Sequence, residues 1–403
     1  MQRERGVAVT GLGAVTAIGR SAPEFWRALT AGACGIRPLS LFDASGYRTQ
    51  TAAEVSEIPD GFLTAAERRR MSRADRMGVA AAAEAIAASG LDLSREDPTR
   101  VGVILGGGTS GLLDSEAFYE LHLRGRKGRP SRVLNHLPDA ITDRVAQRWG
   151  LQGIKSTITT ACSSSANAMG YAFDAIVSGL ADVVLTGGSD VLARLTYGGF
   201  NSLRSVDPEP CRPFDRERRG LSIGEAAGFL VFEEIEHARR RGAPVDARFL
   251  GYGVTSDAFH MTAPDPSGAA GGRAIRAALA SARINAEDVD YVNAHGTATL
   301  QNDSAETAAL KDGLGARARE IPVSSIKSMI GHCLCASGAI EAVATVQTLR
   351  EQAVPPTIHY EHPDPACDLD YVPNEARDAA VRIALSNSFA FGGNSTVVVF
   401  ARP

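Results

Sequence analysis

No apolar run in the sequence approaches the roughly 18 residues that a membrane-spanning helix needs. The opening stretch MQRERGVAVTGLG carries charge but no apolar core of the length a secretory signal requires, so a cytosolic protein is expected. An excess of one charge is lacking too. The net charge is −4, from 42 basic and 46 acidic residues, which indicates no general nucleic-acid footprint. Aromatic residues are few, at 6%, whereas glycine and alanine are abundant, so close packing of helices on strands is expected. The six cysteines, Cys34, Cys162, Cys211, Cys333, Cys335 and Cys367, are scattered over a long chain and do not form a disulfide framework. The one tight pair, CLC at 333–335, lacks the second pair or the histidine spacing of a zinc site. There is no P-loop. The glycines of GVAVTGLGAV and beyond fall at Gly11, Gly13 and Gly19, which misses the dinucleotide fingerprint and reads as a strand running into a turn.

What is present is an internal repeat. Residues 78–112 and 271–299 both read as an alanine-rich helix, a short acidic link, a strand and a Gly/Thr turn. Residues 156–177 and 323–345 both read as a β-like entry, a turn of small residues and a largely apolar helix. A helix that is apolar on most faces must lie between layers. The simplest architecture is therefore two similar α/β halves, 1–242 and 243–403, sharing one core.

Cys162, in TTACSSSANAM, stands where the first of the apolar helices begins. A helix N-terminus offers free N–H groups and a partial positive charge, and both favour thiolate over thiol. The same position also suits a buried, inert cysteine. His295, in VNAHGTAT, and His332, in SSIKSMIGHCLCASGA, occupy turns related to that of Cys162 by the repeat. One thiol and two imidazoles thus converge on one candidate site. Lys327 and Glu306 lie close to these histidines in sequence, and in a shared interior they are expected to be charge-matched.

These residues carry a resemblance to a family. VAVTGLGAVTAIG, TACSSS, RPFDRERRG, TSDAFHMTAP, NAHGTAT, SSIKSMIGH, AVPPTI, CDLDYVP and NSFAFGG together resemble a β-ketoacyl-acyl carrier protein synthase of the elongating type, or a ketosynthase subunit of type II polyketide synthases. The likeness covers essentially the whole chain. It implies the thiolase fold, five layers α-β-α-β-α built from two duplicated halves, and an obligate dimer. It implies that Cys162 is acylated from acyl carrier protein, and that His295 and His332 hold the malonyl thioester for decarboxylation. The N–H groups of Cys162 and Phe391 would form an oxyanion hole, and Lys327 paired with Glu306 would support the histidines. Thr297 and Thr299 would bind the phosphopantetheine arm. Phe391 and Phe200 would gate the acyl pocket, with Phe389 and Ala390 in the gate loop. Asn293, Glu341 and Ser386 match positions that bind a structural monovalent cation in some members. No catalytic metal and no cofactor are implied. The basic runs RRRMSRADR and RGRKGRPSR, with Arg68, Arg69, Arg126, Lys127 and Arg129, would dock an acidic carrier.

Three departures bear on substrate. Ala390 replaces a glycine of the usual FGFGG gate. ATLQND, with Thr299, Gln301, Asn302 and Asp303, looks more like the aromatic-polyketide subunits than like fatty-acid synthase II. The segment LNHLPDAITDRVAQ carries Asn135, His136, Asp139 and Asp143 where the fatty-acid enzymes are more apolar, and Thr109 replaces a bulky aliphatic residue near the pocket floor. These features point to a specialised polyketide or polyene pathway and to either a homodimer or a heterodimer with a catalytically dead chain-length partner. A thiolase acting on acyl-CoA is the remote alternative, since the chain has no cysteine after Cys367. An initiating synthase would have Asn at His332, and a non-catalytic partner would lack Cys162.

Overall fold

A computed structural model describes residues 5–403; the first four residues, which open the first sequence-defined half, lie outside the described residues. Ten strands form one continuous sheet. In the first half they are β1 (Val7–Val15), β2 (Val101–Gly106), β3 (Lys155–Ile158), β4 (Val183–Asp190) and β5 (Ala226–Glu234). In the second half they are β6 (Ala247–Ser256), β7 (Tyr291–Asn293), β8 (Val323–Ser324), β9 (Ile383–Phe389) and β10 (Asn394–Ala401). The helices that position the site are α1 (Arg73–Ser89), α2 (Leu112–Leu123), α3 (Ala140–Trp149), α4 (Ser164–Val177), α5 (Arg194–Ser202), α6 (Ala269–Ala282), α7 (Leu300–Leu314) and α8 (Ser337–Glu351).

The two halves have the same topology. The spatial order is β3-β2-β4-β5-β1 in the first and β8-β7-β9-β10-β6 in the second. In each half the first three strands of that order pair parallel, and the last two join antiparallel. A short antiparallel pairing of Val7–Val9 with residues 247–249 links them. Every residue of β1, β4 and β5 is buried, as expected of strands covered on both faces.

Five layers follow. Helices α1 and α3 cover the outer face of the first half-sheet, and α6 and α7 cover that of the second. Between the half-sheets lie α4 and α8, each touching strands of both. In α8 every residue from Ser337 to Leu349 is buried, so its pattern has no polar face to display. Gly13 owes its identity to this packing rather than to a nucleotide. A Cβ there would lie 1.9 Å from the carbonyl oxygen of Ala81 in α1.

The repeat differs between the halves where the chemistry is placed. Residues 159–160 separate β3 from the short 3-10 turn Ala161–Ser163 that leads into α4. In the second half, residues 325–333 separate β8 from the equivalent turn Leu334–Ala336 that leads into α8. That longer connection carries Lys327 and His332. Ala161 and Leu334 both adopt positive φ, at 49° and 53°, a costly conformation for residues with a Cβ that recurs at the same point of the repeat.

Candidate active site

Cys162 follows the strained Ala161 and sits on the turn that becomes α4. Its side chain is buried. The backbone N–H groups of Cys162 and Phe391 and the ammonium of Lys327 all draw the thiol pKa down. Burial outweighs them and pushes it up to about 11. This corrects the sequence expectation that the helix terminus leaves the thiol acidic. The favourable groups are in place, but removal of water is the larger effect.

The Sγ of Cys162 and ring nitrogens of His295 and His332 lie within 4.8 Å of one another. The imidazole planes are nearly perpendicular, with centroids 5.3 Å apart. The Nδ1 atom of His332 accepts from the backbone N–H of Leu334 at 3.0 Å and lies 3.1 Å from the hydroxyl of Ser337. The Nδ1 atom of His295 lies 3.2 Å from the Lys327 ammonium, which can only donate. In both rings the proton is thereby assigned to Nε2. Burial and the nearby Lys327 hold both histidines neutral, with His332 brought down to about 3 and His295 well below its ordinary value. Cys, His and His are also the donor set of a metal site. Here the ammonium beside His295, and a backbone donor already on His332, oppose a cation between them.

The expected Lys327–Glu306 pair does not form. Lys327 is paired with the carboxylate of Glu341 on α8, both side chains 1% exposed. Glu306 instead accepts the backbone N–H groups of His295 (2.8 Å) and Gly296 (2.7 Å) and the amide of Asn387 (3.0 Å). It fixes the histidine turn through its backbone. Sequence reasoning placed Glu341 with a cation and missed Asn387, Leu334 and Ser337. The available signal was a lone acid in an otherwise uncharged, wholly buried stretch of α8.

A pocket open to the surface reaches Cys162, His295 and His332 and is also lined by Thr297, Thr299, Phe200, Phe389, Ala390 and Phe391. The Thr297 and Thr299 hydroxyls lie 2.9 Å apart. Phe200, on α5, meets Phe391 with ring centroids 5.8 Å apart. The loop after β9 is a tight turn in which Ala390 N–H donates to the carbonyl of Asn394 (2.8 Å). Ala390 takes no positive φ, whereas Gly392 and Gly393 do, at 81° and 79°. A Cβ on Gly393 would lie 1.9 Å from Asp257 Oδ1.

The Thr109 hydroxyl is turned to the buried carboxylate of Asp190 and the carbonyl of Val191, and Thr109 is not among the residues lining this pocket. The polar segment before Cys162 also finds partners. Asn135 bonds Arg70 and Arg144, His136 bonds Ser115, and Asp143 pairs with Lys155. Arg68, Arg69, Arg126, Lys127 and Arg129 remain on or near the surface. Near the base of the site, Asn293 Oδ1 and Nδ2, Glu341 Oε2, Ser386 Oγ, Asn387 Oδ1 and Ser388 Oγ are buried without protein partners. Asn293 and Ser386 face each other in the parallel register of β7 and β9.

Comparison with known proteins accounts for this arrangement. Residues 4–238 match the N-terminal domain of beta-ketoacyl synthases and residues 247–361 match the C-terminal domain. The chain belongs to the β-ketoacyl synthase family. It is 43% identical to a Streptomyces halstedii protein assigned as polyketide beta-ketoacyl synthase 1, covering 99% of this chain and 98% of that one. It is 40% identical to 3-oxoacyl-[acyl-carrier-protein] synthase 2 of Synechocystis, covering 98% of each. Among solved structures, the ishigamide ketosynthase/chain length factor matches over the full length of both chains, with a TM-score of 0.94 and 34% identity. The fold is the thiolase-like ketosynthase fold in two duplicated halves.

Proposed function

We propose that this synthase catalyses decarboxylative Claisen condensation of an acyl group on Cys162 with malonyl-acyl carrier protein, giving a 3-oxoacyl carrier. The observation that carries this reading is the convergence of the Cys162 thiol with two neutral imidazoles whose Nε2 atoms hold the protons. Decarboxylation generates the carbanion without a strong base. The site therefore needs donors for the enolate oxygen, and the Nε2–H groups of His295 and His332 are such donors. The N–H groups of Cys162 and Phe391 stabilise the tetrahedral oxyanion formed when the acyl thioester is attacked. Lys327 keeps His295 neutral and orients its Nδ1, and Glu341 balances the buried charge. Thr297 and Thr299 hold the phosphopantetheine arm, and Phe200 with Phe391 gates the acyl pocket. No cofactor takes part.

The buried oxygens of Asn293, Glu341 and Ser386 form an unpartnered set suited to a hard monovalent cation. These three residues would hold it, and its charge would stiffen the base of the site without entering the reaction. The two halves divide at 242–243, after the αL cap Gly242. Acyl carrier protein is the macromolecular substrate. Its acidic surface docks on Arg68, Arg69, Arg126, Lys127 and Arg129, and the enzyme works in the cytoplasm.

A dimer is supported by α2, which has no buried residue despite its largely apolar sequence LLDSEAFYELHL. The likeness to a ketosynthase/chain length factor favours, as a second reading, a catalytically dead partner subunit in a polyketide or polyene pathway. Purification of the chain alone separates the two. A stable homodimer that condenses acyl and malonyl carriers excludes the need for such a partner. The condensation reading itself fails when wild-type protein neither acylates at Cys162 nor condenses in either assembly.

A further inference from the structure

We infer that Asn302 is the hydrogen-bond acceptor for an amide N–H of the carrier's phosphopantetheine arm, a specificity-determining contact additional to Thr297 and Thr299. The inference rests on the condensation reading. Asn302 belongs to ATLQND, the stretch in which the chain departs from fatty-acid synthase II. It stands in the first turn of α7, where its backbone N–H donates to the hydroxyl of the cap residue Thr299 (3.3 Å). The residue is 8% exposed and lines the same pocket as Cys162, His295 and the two threonines.

The orientation of its side chain is fixed by chemistry. Nδ2 donates to Asp303 Oδ1 (3.1 Å) and to Glu306 Oε2 (3.4 Å). A carboxylate only accepts, so the amide must turn its nitrogen to the two acids, and both amide protons are used. The acids are pinned in turn. Asp303 accepts the backbone N–H groups of Phe214 (2.7 Å) and Ala298 (3.1 Å) and lies 3.7 Å from the Arg218 guanidinium. Glu306 accepts those of His295 and Gly296. Asn302 Oδ1 therefore points away from the acids. Among the described residues it has no hydrogen-bond partner, and it is open rather than buried, in a side chain that lines the pocket.

The threonines supply the complementary group. Thr297 Oγ1 accepts the N–H of Thr299 (3.4 Å), Thr299 Oγ1 accepts that of Asn302, and the two hydroxyls lie 2.9 Å apart. One hydroxyl donates to the other, which leaves one free O–H. This wall of the pocket thus offers one donor and one fixed acceptor. A secondary amide needs that pair, since its carbonyl accepts and its N–H donates. Phosphopantetheine carries two secondary amides between its thiol and its phosphate, whereas a hydrocarbon acyl chain carries none. Hydroxyls alone can rotate to suit an amide or an ester, but an amide oxygen held in place can only accept, and so rewards the N–H.

Transfer of an acyl group from an acyl-pantetheine to Cys162 tests this, with the full chain in its native assembly and the label counted by mass spectrometry. The acyl group is the one that loads fastest. Two further donors each carry an ester oxygen in place of one amide N–H. On the wild type, one of the two esters should load about three- to tenfold more slowly than the natural donor, the worth of one neutral hydrogen bond. Asn302→Ala should lose about as much with the natural donor and should erase the penalty for that ester. If Asn302 only braces Asp303 and Glu306, the variant slows all three donors by one factor and the ester penalty survives, which overturns the inference. A wild type that loads both esters as fast as the natural donor also overturns it, and that result needs no variant. Either failure in a protein that still acylates and condenses leaves the condensation reading standing. A wild type that no donor acylates removes both.

Discussion

The buried pair Lys327–Glu341 sets the electrostatics of the site, and Glu306 sets its backbone. Glu341→Gln strands an ammonium in the interior, which costs about 3–5 kcal/mol. Glu306→Gln weakens charge-assisted bonds worth roughly 1.5–3 kcal/mol each and releases the His295 turn. Thermal unfolding should therefore fall further for Glu341→Gln, with Lys327→Met partly restoring stability in the double variant and no such rescue for Glu306→Gln. Rescue in the Glu306 background would restore the pairing that the sequence suggested. The thiol makes a second claim at this scale. A pKa raised to about 11 leaves Cys162 mostly protonated at neutral pH. Its alkylation rate should rise about tenfold per pH unit through pH 7–10, where an exposed cysteine would already level off near 8.5. A plateau at pH 8 or below would contradict the dominance of burial. The histidines run the other way. A lowered pKa keeps the neutral form down to about pH 3 for His332, so malonyl decarboxylation should not decline between pH 8 and pH 5 through protonation of that ring. Cys162 and His295 were legible from the sequence because each marks a repeat-related turn; His332 was read there too, but it lies on the longer connection just before the equivalent turn Leu334–Ala336. The identity of Lys327's partner was not legible, since a contact between residues 14 apart across a turn and a helix leaves no periodic trace.

At the scale of the element, the turn after β9 joins the β9–β10 hairpin to the loop that starts at Asp257. Gly392 N–H donates to the Met261 carbonyl (2.8 Å), and Asp257 N–H donates to the Gly393 carbonyl (3.1 Å). Gly393 has no room for a Cβ and needs a positive φ. Gly393→Ala is expected to lower kcat/KM for acyl loading by about tenfold or more, with little change in unfolding temperature, because the turn lies at the surface end of its strands. Ala390 is the milder case. Its backbone already adopts an ordinary φ, so Ala390→Gly should leave stability within about 1 kcal/mol and shift the range of acyl groups accepted rather than abolish loading. Stopped-flow acylation with carriers of different chain length measures both effects. The motif FAFGG marked this turn in the sequence. Its anchors on the 257–261 segment were hidden because backbone carbonyls carry no signature. The partner of Thr109 was hidden for a related reason: Asp190 lies 81 residues away in sequence and accepts its hydroxyl.

For the whole molecule, the duplication was readable because each half repeats helix, link, strand and turn in one order, and the strand order 3-2-4-5-1 follows in both. What the repeat could not give was the longer 325–333 connection, where the second half departs from the first to supply Lys327 and His332. The outer surface carries a further expectation. The unburied apolar helix α2 and the unpaired outer edge of β3 should be covered in solution, and light scattering should return twice the mass of one chain rather than a monomer. The central claim concerns Cys162. Intact-protein and peptide mass spectrometry after incubation with acyl-carrier should find one acyl group per active site, on the peptide containing Cys162. The label should be lost in Cys162→Ala and discharged as a 3-oxoacyl carrier when malonyl-carrier is added. An acyl group that forms in Cys162→Ala, or one on wild-type Cys162 that malonyl-carrier cannot discharge, would contradict the account.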